Sequence, residues 1–130
     1  MNPAPRIHFL LVRHTPPGLG PVLAEVYERL QAKGVEVDDH IPEDQLFSSE
    51  ELAVTHDLYV LKSHTELALS TAGTLCALGA RLLNPHRSCL LTQDKITSTK
   101  LLSDAGPTFV GMAAARSVDD VGKAAFRPAC

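Results

Sequence analysis

Basic and polar side chains stand in three short groups, each at the end of an apolar run. Arg13–His14–Thr15 follows IHFLLV, Lys62–Ser63–His64–Thr65 follows LYVL, and Asn84–Pro85–His86 closes RLLN. All three groups carry polar or basic side chains, and their clustering is more informative than any one of them. A fourth feature is the run TQDKITSTKLLSDAG, Thr92 to Gly106, which reads as a helix with Lys95 in its first turn. A lysine there adds a mobile positive charge beside the partly positive helix end, a place suited to phosphate. The alternative is a solvated surface lysine, with Asp94 favourable near the N-terminus.

These groups matter only if the chain brings them together. IHFLLV (Ile7–Val12) is a nearly continuous apolar run of strand length, suited to a parallel strand buried on both faces. PVLAEVYERLQAKG follows, with Pro21 in the first helical turn and Gly34 as the stop. Leu23, Val26, Tyr27 and Leu30 share one helix face. Val35–Val37 then reads as a second strand, completing a strand–helix–strand unit. The acidic stretch around Pro42 reads as a connection, with a short helix at SSEELA capped by Ser48 or Ser49. Leu58–Leu61 is a third strand. A helix over 66–78 follows, with Ala68, Thr71, Ala72, Leu75 and Leu78 turned inward. Arg81–Asn84 is a short fourth strand. The next helix takes Thr92 as its cap and Ser98, Leu101, Leu102 and Ala105 as its apolar stripe. TFVGM reads as a fifth strand, and Ser117 with Asp120 has capping-box spacing before a last helix over 118–125.

Strands alternating with helices predict an α/β fold, a Rossmann-like three-layer sandwich on a mostly parallel sheet of four to five strands. Ligands of such sheets bind beyond the carboxyl ends of the strands, where the three groups fall. Loops are polar in any protein, so the groups are also what a surface would show.

Composition narrows the function classes. Hydrophobic residues make up 45% of the 130, enough for a core. The net charge of −3 and scattered basic residues argue against general nucleic-acid binding. Ile7–Val12 is too short for a signal core or a membrane span, so a cytoplasmic protein is the expectation. Cys76, Cys89 and Cys130 are widely spaced and form no CxxC pair, and Cys76 is expected to pack as a small hydrophobe. Asp119–Asp120 is too local to make a metal cage, and no metal site is read.

Two families share features with this chain. LLVRHT is similar to the first-strand motif of histidine phosphatases, which would make His14 the nucleophile and Arg13 the phosphate clamp. That family has Gly where this chain has Thr15, and it needs a second histidine, a further arginine and an acid, toward which His86 with Arg87 could be volunteered. The longer match runs from Leu58 to Gly106: DLYVLKSH, a helix of small residues, GARLLNP, then TQDKITSTKLLSDAGP. It resembles the N-terminal, pre-ATP-grasp domain of the ATP-grasp superfamily. In that superfamily a strand ending in "NP" precedes a helix that opens with Asp-Lys and closes on "AG".

The ATP-grasp resemblance implies a carboxylate–amine ligase or an inositol-phosphate kinase-like enzyme that uses ATP and Mg²⁺. It implies that Lys95 reaches nucleotide phosphates. Arg13, His14, Lys62, Ser63 and His64 then stand where an acceptor substrate would be bound, with His64 a possible general base. The superfamily's nucleotide lysine, glycine-rich loop, adenine hinge and magnesium ligands lie further downstream, and RSVDDVGKAAFRPAC contains none of them. The expectation is a substrate-side domain over 1–106, with 107–130 leading toward absent ATP-grasp domains. No catalytic residue is assigned, and the chain is expected to be inactive alone. A homodimer through an uncovered apolar face is the expected self-association. A stand-alone small-molecule or protein-binding module is the other reading.

Overall fold

The computed structural model describes residues 2–46 and 48–105. It divides into two compact units, Met1–His86 and a second beginning at Arg87. The first unit is an α/β sandwich. Its elements are β1 (Arg6–Leu11), α1 (Pro21–Ala32), β2 (Glu36–His40), β3 (Leu58–Lys62), α2 (Glu66–Ala77) and β4 (Leu82–Leu83). Two 3-10 turns, Pro42–Asp44 and Ser49–Glu51, lie between β2 and β3. All four strands are parallel, in the order β2-β1-β3-β4. No helix among the described residues is long and apolar enough to cross a membrane.

Strand β1 is central because its apolar run can be buried on both sides. Phe9 and Leu10 point to opposite faces and are 4% and 0% exposed. Phe9 meets the Tyr27 ring of α1 at 4.8 Å between centroids. Helix α1 starts at Pro21, as its sequence predicts, and Gly34 beyond its end takes a φ of +78°. Helix α2 packs on the opposite face through Ala68, Thr71, Ala72 and Leu75, all buried at helical spacing. Ala68 and Ala72 are fully buried, so their lack of bulk lets the helix lie close to the sheet. Thr65 caps it, its hydroxyl accepting from the Ala68 amide. The buried Thr71 hydroxyl donates to the Leu67 carbonyl at 2.8 Å.

Several expectations are corrected. The second strand is longer than Val35–Val37 and takes in the acidic run to His40. As an edge strand it can carry Glu36, Asp38 and Asp39, and charge there blocks edge-to-edge pairing. Leu78 is 54% exposed rather than inward, because α2 ends at Ala77 and Gly79 turns the chain with φ +92°. Cys76 is exposed, since it falls one position past the buried Leu75. Asn84 takes φ +61° and its amide donates to the Leu61 carbonyl at 2.9 Å, tying the end of β4 to β3.

The stretch before Lys95 is itself helical. α3 (His86–Gln93) begins directly after Pro85 and hands over to α4 (Lys95–Asp104) at Asp94. The cap of α4 is Asp94, not Thr92. Its carboxylate accepts from the Ile96 and Thr97 amides, while the Thr92 hydroxyl is turned back to the Ser88 carbonyl. The expected stripe of α4 is not buried, with Leu101 and Leu102 about half exposed. The expected fifth strand and last helix lie outside the described residues.

Candidate functional site

The order β2-β1-β3-β4 places the topological switch between β1 and β3, the position where parallel sheets bind ligands. Beyond the end of β1 lies a cavity of about 390 Å³ lined by Val12, Arg13, His14, Gly18, Gly20 and Leu23, among others. Its floor is the start of α1. Gly20 is the cap residue of that helix, so no side chain takes up the first-turn amides, and the first turn carries no acidic residue. Its partly positive end is therefore uncompensated by the helix itself. Gly18, with φ +125°, lets the loop turn into the helix without a side chain in the opening.

Arg13 reaches across the cavity mouth to Asp44 in the first 3-10 turn. The pair is solvent-exposed, and such pairs exchange readily for a competing anion. His14 lines this cavity and also a larger apolar trough of about 540 Å³ beside α1, where Lys62 stands at the rim. The structure thus brings Arg13, His14 and Lys62 around the ends of β1 and β3. Ser63 has a different role. It is buried, its hydroxyl accepts from the Thr65 amide at 3.4 Å, and Thr65 in turn donates to the Glu43 carboxylate. Ser63 therefore holds the turn that presents Lys62 and the exposed His64.

His86 is not gathered to this edge. Its ring lies against Gly73 of α2, where a Cβ would stand 2.9 Å from Cε1. Lys95 belongs to the second unit, and its ammonium donates to the Thr92 carbonyl at 2.9 Å. Hydrogen bonds from Thr97, first the amide and then the hydroxyl, hold the Asp94 carboxyl below its usual range. Asp94→Ala is expected to fray the start of α4, with amide exchange at Ile96 and Thr97 several-fold faster by mass spectrometry or NMR. Unchanged exchange would remove Asp94 as the cap.

A second polar cluster lies on the α2 face of the sheet, and sequence reasoning missed it. Parallel register sets His8 beside Asp38 on one side and Tyr59 on the other, with His40 two residues along. His8 Nε2 is 2.5 Å from His40 Nδ1, and the His8 and His56 rings are 4.7 Å apart. His56 Nε2 lies 2.7 Å from an Asp38 oxygen, and its Nδ1 lies 2.9 Å from the Thr55 hydroxyl. Arg6 donates to the same Asp38 oxygen at 3.2 Å and also pairs with Glu36. The rings line a cavity of about 250 Å³ with Glu51, Tyr59 and Thr71.

Burial lowers the His8 pKa from 6.5 to about 4, and the neighbouring His40 and His56 push it the same way. His40 is also lowered, mainly by burial. The hydrogen bond from His56 holds the Asp38 carboxyl below its usual value, with Arg6 adding to the effect. His8 and His40 are thus held toward neutral imidazole, beside an Asp38 held toward carboxylate. The only sequence trace of it is a spacing: Arg6 and His8 alternate on one strand, and Glu36, Asp38 and His40 alternate on another.

Compared with the models of known protein families and with curated proteins, the chain matches none.

Proposed function

We propose that the Met1–His86 unit binds a small anionic acceptor substrate at the carboxyl edge of β1, as the substrate-side domain of an ATP-grasp ligase or kinase. The observation that carries the reading is the cavity where Arg13, His14 and the uncapped start of α1 meet. A carboxylate or phosphate there would take first-turn amides of α1 and displace Asp44 from the Arg13 guanidinium. Lys62 adds charge from the neighbouring strand end, and His14 offers a ring nitrogen from the cavity wall. The run from Leu58 to Gly106, with its Asn84–Pro85 and Asp94–Lys95 pairs, supports the ATP-grasp assignment.

In this reading ATP and Mg²⁺ supply the activating phosphoryl group. Among the described residues of the second unit, Lys95 is held on the Thr92 carbonyl and Lys100 on the Asp104 carboxylate, so the chemistry assigned to this chain is confined to acceptor binding. The apolar trough beside α1, lined by Ile7, Phe9, Val22 and Leu58, is assigned to an interface with a second copy.

Calorimetric titration with a panel of carboxylates and phosphate monoesters tests the proposal. Binding by the wild-type chain is expected to weaken by at least about tenfold in Arg13→Ala, since a charge-assisted hydrogen bond is lost. A panel without a binder, or a binder indifferent to Arg13→Ala, would overturn it.

A further inference from the structure

The α2 face of the sheet holds a donor set that acceptor binding at the carboxyl edge does not use. We propose that His8, His56 and Asp38 bind a divalent transition-metal cation of the zinc type, with His40 supporting His8 from behind. Each of the three offers one ligand atom, and these atoms all lie within 4.8 Å of one another. Zinc–ligand bonds of about 2.0–2.1 Å put tetrahedral donors roughly 3.3 Å apart, so closure requires side-chain adjustment and no new backbone path. Two imidazoles and a carboxylate suit zinc-like ions. Calcium and magnesium prefer all-oxygen shells.

The hydrogen bonds favour this assignment. His8 Nδ1 is buried and has no hydrogen-bond partner, while Nε2 is engaged by His40. With its proton on Nε2, His8 donates to His40 and leaves a lone pair on Nδ1 facing neither water nor a donor. A buried polar atom left unpaired is costly, and a cation would satisfy it. A ring whose other nitrogen is held by a hydrogen bond is the usual state of a ligating histidine. At His56 the cation would replace the hydrogen bond between Nε2 and Asp38. The proton then sits on Nδ1, donated to the Thr55 hydroxyl 2.9 Å away. No proton is lost in that exchange.

Three ligands leave a fourth position open to the cavity, where Glu51 and Gln45 stand at the wall. Arg6, 3.2 Å from the Asp38 oxygen, orients the carboxylate but repels a cation. That repulsion argues for an exchangeable ion rather than one that the fold requires.

The test uses the full 130-residue chain, stripped with chelator and titrated with Zn²⁺ by calorimetry and with Co²⁺ by visible absorption. One saturable site is expected, weakened at least about tenfold by Asp38→Asn and by His56→Gln. His86→Gln, which alters a histidine elsewhere in the unit, should leave it unchanged. Asp38→Asn keeps the size of an exposed side chain, so circular dichroism should show an intact fold. In the wild-type chain, the ring signals of His8 and His56 should move on adding Zn²⁺. The proposal is overturned if no saturable binding occurs. It is equally overturned if both variants bind as the wild type does, if thiol alkylation abolishes binding, or if those ring signals stay put.

Discussion

Leu10→Ala is expected to lower the unfolding free energy by about 2–5 kcal/mol, the range for removing a fully buried leucine and leaving a cavity. Leu10 is 0% exposed on the central strand, between His40 of β2 and Leu61 of β3 in register. It shares its sheet face with His8, under α2, whose Ala68 and Ala72 bring that helix close. Small neighbours have no spare bulk to move into the void, so relaxation is limited and the upper half of the range is expected. A domain's total stability is only about 5–15 kcal/mol, so the variant should be near its threshold at ambient temperature. Urea melts would show a lower midpoint with the slope unchanged. A loss under about 0.5 kcal/mol, the range of an ordinary surface change, would mean that β1 is not the centre of the core.

The second large effect is acid sensitivity. His8 titrates near 4 in the folded chain and at 6.5 when unfolded. Below 6.5 the unfolded state takes up a proton that the folded state refuses, so stability falls as pH drops from about 6.5 toward 4. His40, lowered by burial, acts in the same direction. Asp38, whose carboxyl is held down by His56 and Arg6, adds a further loss once pH falls through the carboxylate range. One pKa unit corresponds to about 1.4 kcal/mol, but the His8 ring is partly exposed and solvent screens the effect. A loss on the order of 1–2 kcal/mol between pH 7 and 5 is the expected result. His8→Gln should flatten most of that slope in thermal melts. A stability that is level or rises on acidification would contradict the buried neutral cluster.

What the sequence made legible follows from burial. IHFLLV and LYVL are apolar because both faces of their strands are covered, and they were read as strands. Helix α2 was read correctly through Ala68, Thr71, Ala72 and Leu75 for the same reason. Strand β2 was read short because an edge strand can be polar, so Asp38–Asp39–His40 resembles a loop. The helix before Lys95 was missed because Thr92 and Asp94 are both good caps, and only the hydrogen bonds choose between them.

The two sites differ in the same way. Arg13, His14 and Lys62 could be placed at one edge because strand ends are visible in sequence. Ser63 could not be separated from them, since its burial comes from the turn it holds. The His8–Asp38–His56 cluster depends on lateral register between strands, which no local pattern encodes.

The central claim is that an anionic small molecule is held where β1 gives way to α1. Its most direct test is an amide NMR titration of the wild-type chain with the best binder of the carboxylate and phosphate panel. Saturable shifts are predicted at Gly18, Gly20 and the first-turn amides Val22 and Leu23, with smaller ones at Lys62 and His64. Shifts that spare the β1–α1 loop, or fall only on the α2 face around His8, would contradict the account.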